Sequence, residues 1–141
     1  MTSPRRIAGA LLLGAAFLLL EIRFEHREVL GETWRGWIPI GYAALLFAAG
    51  IPAWVAWARG GRKLLLALFA PALAVGLLGA WFHSGGRPDR ALVRVASAWT
   101  RAGATKAGSG PPPLAPMAFC GLGLLGVLAC ASDDRRNAIG E

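Results

Sequence analysis

Polar groups are missing where a membrane transporter or an intramembrane enzyme would need them. The chain has three long uncharged runs, residues 37–57, 64–82 and 114–131, of 21, 19 and 18 residues, and none contains Ser, Thr, Asn or Gln. Their only hydroxyl is the phenol of Tyr42. Transport and proton transfer place ionisable or hydrogen-bonding groups at bilayer depth, so a path of that kind through these runs is not expected. Charge is scarce throughout: 16% of the 141 residues are charged and 55% are hydrophobic, too apolar for a small water-soluble domain. Each run is close to the roughly 20 residues that cross a bilayer core.

Cysteine and histidine are nearly absent, with two of each. Cys120 and Cys130 fall on one expected helix, about 15 Å apart at the helical rise, so they form no internal disulfide and read as small packing residues. No Ser-His-Asp set, paired-cysteine motif or phosphate loop is present, and no catalytic residue is assigned. Gly121, Gly123 and Gly126 spell G-x-G-x-x-G, but no strand precedes them and leucines surround them, so they are packing glycines rather than a dinucleotide site.

What the chain does contain is a set of membrane spans with charged ends. Behind Arg5 and Arg6, the apolar run 7–20 is only 14 residues long, like the core of a secretory signal. The run gives way to EIRFEHRE, with no small-residue cleavage site, so an uncleaved helix continuing through Ile22 and Phe24 is expected. The fold expected is all-α, a membrane bundle of four transmembrane helices over about 6–27, 37–57, 64–83 and 114–131. Trp37, Trp54, Trp57 and Trp81 stand at span ends as an interfacial belt. Pro71, inside the third span, predicts a kink.

Arg5, Arg6, Arg59, Arg62, Lys63, Arg135 and Arg136 fall on one face, which the positive-inside rule makes cytoplasmic, with both termini there. Arg outnumbers Lys thirteen to two, and Ala, Gly, Leu and Pro abound, a usage that points to a GC-rich bacterial genome and a bacterial inner membrane. The net charge of +7 is spread over both faces, so nucleic acid is not an expected partner.

Between spans three and four, Leu92, Val95, Ala96 and Trp99 fall at helical spacing, with Arg87, Arg90, Arg94 and Arg101 on the other side. This pattern predicts an amphipathic helix over about 88–101, lying on the membrane surface or packed over the bundle, followed by a flexible linker at 102–113. Small residues at intervals of four, Ala10 and Gly14, Ala49 and Ala53, then Ala72, Gly76 and Ala80, together with Gly123 and Gly126, would let helices approach closely.

The charged stretch LLLEIRFEHREVLGE holds the candidate site. Glu21, Glu25 and Glu28 are four and three residues apart and share a helix face, where like charges need a neutralising partner. The Arg87, Arg90, Arg94 and Arg101 stripe is complementary, and pairing of the two within the chain is the simplest reading. The carboxylate-bridged di-iron pattern requires Glu-x-x-His, which is absent, so no metal is assigned. His26 continues the apolar face of the first helix and His83 ends the third span at the same membrane face, the placement a bis-histidine haem b would need.

These features favour a non-catalytic accessory or structural subunit of a larger membrane complex, an energy-transducing one among the candidates, with the lipid bilayer and other membrane subunits as partners and no small-molecule substrate. A small b-haem or quinone-interacting electron-transfer subunit using His26 and His83 is the alternative. A lipid-binding or membrane-shaping protein acting through the basic helix is the third reading.

Overall fold

The computed structural model of the chain describes residues 3–25, 27, 29–90, 92, 93, 96 and 116–139, with side chains for all of these except 29 and 133–139. His26, Glu28, Arg94, Arg101 and the linker expected at 102–113 therefore lie outside the described residues, as does most of the surface helix expected at 88–101. Of that helix, residues 88–90, 92, 93 and 96 are described, and they are helical.

Every regular element among the described residues is helical. Helix α1 runs Ser3–Glu25, α2 Trp37–Val55, α3 Gly61–Phe69, α4 Pro71–His83 and α5 Met117–Ile139. Three segments are long and apolar enough to cross a membrane: Ser3–Glu25, Trp34–Val55 and Gly61–His83, the last comprising α3 and α4. The apolar part of α5, Met117–Ser132, is shorter, about 24 Å at the helical rise. Only 17%, 28% and 22% of the three longer apolar windows is buried inside the molecule, so most of this surface faces outward. Exposed in water, that area would oppose folding; against lipid tails it carries no such cost.

The span expected at 64–83 is divided at Ala70, and the proline explains the division. Pro71 has no N–H to donate to the carbonyl of residue 67. Ala70 still donates to the Leu66 carbonyl at 3.0 Å, while Leu73 donates at 3.4 Å to Ala70, three residues back rather than four. The first turn of α4 is thereby tightened. Beyond α4, Gly85 and Gly86 adopt φ of 61° and 74°, which glycine adopts without steric cost. The Gly86 N–H bonds the Trp81 carbonyl and the Gly85 N–H bonds that of Phe82, both at 3.0 Å, a Schellman ending to the helix.

The helices close into a ring, with α1 against α2 and α5, α2 against α3, and α5 against both α3 and α4. Successive segments run in opposite directions. At one end Arg5 of α1 meets Val55 of α2, and Arg62 of α3 meets Cys130 of α5. At the other, Arg35, just before α2, covers Phe82 of α4, and Gly79 approaches Pro116. The core mixes small and large side chains: Ala8, Leu12 and Ala15 of α1, Leu46 and Ala53 of α2, Trp57 in the turn that follows, Leu65 and Phe69 of α3, Ala72 of α4, and Leu122 and Cys130 of α5.

Candidate functional site

Hydrogen bonding inside the bundle centres on Tyr42. Its phenol donates to the Leu68 carbonyl at 2.6 Å, and the phenol oxygen in turn faces the Ala72 N–H. The hydroxyl thus stands beside the proline break, where the helix ladder is already interrupted, and an inserted side chain is one of the recognised causes of a kink. The edge of Phe119 meets the Tyr42 ring, with centroids 5.8 Å apart and planes at 64°. This phenol is occupied by backbone.

The small-residue stripes divide into two kinds. A methyl added at Gly123 would lie 2.8 Å from the Ala72 methyl and 3.0 Å from the Phe69 carbonyl, and one at Gly126 would overlap the Phe69 ring. Gly76 meets Cys120 in the same way, 2.8 Å from its backbone nitrogen. Ala72, Gly76, Gly123 and Gly126 therefore form one tight seam between α5 and the α3–α4 segment, with Ala80 part-buried beyond it. On α1, by contrast, Ala10 is exposed and nothing lies within 4 Å of a methyl at Gly14. The close approach on that helix is made by Ala8, Leu12 and Ala15, with Leu12 occupying the space left by Gly50.

At the end holding the charged stretch, Glu21, Arg23 and Glu25 are exposed on the last turns of α1. The chain then folds back through two short 3-10 turns, Val29–Gly31 and Trp34–Gly36, tied by a bond from the Trp37 indole to the Leu30 carbonyl at 3.1 Å. The Arg35 guanidinium lies 5.2 Å from the centroid of the Phe82 ring, a cation–π contact joining this loop to the end of α4. Arg87 is bonded twice to Asp89, from Nε at 3.2 Å and Nη2 at 3.0 Å. That pairing holds the Asp89 carboxyl below its ordinary range.

Among the described residues, then, Arg87 is paired with Asp89 rather than with Glu21 or Glu25, and Arg90 is exposed. An open cleft of about 600 Å³ lies between Ser84, Arg87, Asp89, Arg90 and Val93. His83 is part-buried at the end of α4 and has an interaction partner. Because His26 is outside the described residues, the pair that haem would need is not placed. Among the described residues no group of three His, Cys, Asp or Glu could hold a metal ion.

The opposite end carries contacts that the sequence pattern does not reveal. Arg5 donates to the Val55 carbonyl at 3.3 Å and lies 5.0 Å from the centroid of the Trp54 ring, while the Trp54 indole donates back to the Arg5 carbonyl at 2.8 Å. Arg62 donates to the Cys130 carbonyl at 3.3 Å. The one hint of this in the sequence is the proximity of arginines to the interfacial tryptophans, which marks a depth but not a partner. No protein-family model, curated protein or solved structure matches the chain.

Proposed function

We propose that the chain is a non-catalytic accessory subunit of a larger membrane complex. In this reading all four apolar segments cross a bacterial inner membrane, with both termini cytoplasmic. The observation that carries it is Tyr42: the one hydroxyl in the apolar runs bonds the Leu68 carbonyl beside a proline break, so its role is to hold helices together rather than to meet a substrate. The seam of Gly76, Gly123 and Gly126 supports the same reading, because it builds a rigid scaffold from close backbone contact. Glu21 and Glu25 stand exposed at the end of α1 on either side of the exposed Arg23, and Arg87 is held by Asp89, so these carboxylates are open to a basic partner.

The test is tagged purification from native membranes in mild detergent, with mass spectrometry of the proteins that co-purify with the tagged chain. A stoichiometric set of larger subunits is expected, and Glu25→Lys should release it. If the chain emerges alone as a stable monomer and Glu25→Lys changes nothing, the reading fails. A Soret band in that lone sample, lost on His26→Ala or His83→Ala, would put the haem-subunit reading in its place.

A further inference from the structure

The two ends of the bundle differ in how their cations are satisfied. Residues 1–20 and 33–88 contain no Asp or Glu, so α2, α3, α4 and the first part of α1 bring no carboxylate to the end where Arg5, Arg6, Arg59, Arg62 and Lys63 gather. The two acids of α5 there, Asp133 and Asp134, are matched in number by Arg135 and Arg136. Arg5 and Arg62 are engaged with carbonyls. Arg59 and Lys63 are exposed, and neither makes an ion pair among the described residues.

A cleft of about 370 Å³ opens between the end of α2 and the start of α3, lined by Arg59 and by Leu64, the residue after Lys63. Its walls combine the apolar Pro52, Ala53 and Leu64 with the charged Arg59; Trp57, two residues before Arg59, is buried in the core. The tight turn at Gly60, with φ of 88°, brings the cation and the apolar wall together. The cleft beside Ser84 at the other end differs in holding a carboxylate, since Asp89 pairs there with Arg87, next to the exposed Arg90. Basic pockets between membrane helices on the cytoplasmic side are suited to anionic lipid headgroups.

We propose that the cleft between α2 and α3 binds an anionic phospholipid, with Arg59 and Lys63 on the headgroup phosphate and Pro52, Ala53 and Leu64 against the acyl chain. The inference rests on the membrane-embedded part of the proposed function, and not on the identity of any partner complex.

The full chain is reconstituted in nanodiscs holding equal phosphatidylglycerol and phosphatidylcholine, extracted in mild detergent, and the retained lipid measured by mass spectrometry. Phosphatidylglycerol should be enriched, and Arg59→Gln and Lys63→Gln should each cut the enrichment roughly fivefold. Arg59→Lys, which keeps the charge, should retain most of it, as should Arg87→Gln at the opposite cleft. Excess inorganic phosphate should not displace the lipid; displacement would make this a site for soluble anions and overturn the proposal. Equal retention of the two lipids, or equal loss in Arg87→Gln, would also overturn it while leaving the membrane reading intact. Failure of the chain to enter the nanodisc at all would overturn both.

Discussion

Tyr42 of α2 donates its phenolic hydrogen to the Leu68 carbonyl, 2.6 Å away and three residues before Pro71. A proline in a membrane helix frees a backbone acceptor that lipid cannot satisfy, and such breaks persist when neighbouring helices supply replacement groups. Here Pro71 frees the carbonyl of residue 67, and the Tyr42 phenol bonds the next carbonyl along, that of Leu68. Tyr42→Phe keeps the ring against Phe119 and removes only the hydroxyl. Side-chain hydrogen bonds between membrane helices contribute about 0.6 kcal/mol on average and at most about 1.7. The expected result is a stability loss in that range in a detergent unfolding titration, with faster amide exchange at Ala72 and Leu73. Unchanged exchange there would show that the phenol does not hold the bend.

The seam beside Pro71 should be intolerant of a single methyl. At Gly126 a methyl would overlap the Phe69 ring, and Phe69 is fully buried, so it has nowhere to move without disturbing Leu65 and Ala72. Overpacking of this kind costs about 1–3 kcal/mol. Gly126→Ala is therefore expected to lower the melting temperature in detergent, whereas Gly121→Ala, on the open side of the same helix with nothing within 4 Å, should leave it unchanged or raise it slightly. Equal effects at the two positions would mean that α5 does not pack through this face.

The helices and their break are legible in the sequence, and the inward-facing small residues are not. The uncharged runs announce the helices, and Pro71 announces the break, because hydropathy and the missing N–H are properties of the residues themselves. Which small residues face inward is a property of the assembled ring. Ala10 and Gly14 have the same spacing as Ala72 and Gly76, yet the first pair faces outward and the second lies in the seam. In a chain with 19 glycines such spacings recur often enough that spacing cannot choose between them. The arginine stripe is legible as a pattern, but Asp89 lies two residues from Arg87 and takes its charge first, a local competition that a stripe drawn over longer distances overlooks.

That local pair gives a pH prediction of definite sign. Arg87 holds the Asp89 carboxyl below its ordinary value, so the pairing stabilises the turn at neutral pH and is lost as pH falls through the depressed value and the carboxyl protonates. Carboxyl-carbon NMR of the chain in micelles should show Asp89 titrating at lower pH than an unpaired aspartate. Arg87→Gln should return it toward the ordinary value. The pair is solvent-exposed, so global stability should hardly move. A titration that ignores Arg87→Gln would remove the ion pair from the solution structure.

The direction of the bundle in the membrane can be tested through the unequal ends. Arg5, Arg59, Arg62 and Lys63 come together where α1 begins, α2 ends and α3 begins, and short basic flanks of this kind stay on the cytoplasmic side. A green fluorescent protein fused after residue 141 should be fluorescent in bacteria, and alkaline phosphatase inserted at 102–113 should be active, because the enzyme needs the periplasm to form its disulfides. The second result depends on α5. Its apolar part, Met117–Ser132, is about 24 Å long against a hydrocarbon core of roughly 30 Å, so crossing requires local thinning of the bilayer or a contribution from residues before Met117. If both reporters instead report the same side, α5 lies along the surface and the chain crosses three times. Mutating Arg59, Arg62 and Lys63 to glutamine should then separate the causes: inversion of the whole bundle would show that this cluster orients it, and an unchanged pattern would assign the orientation to Arg5 and Arg6.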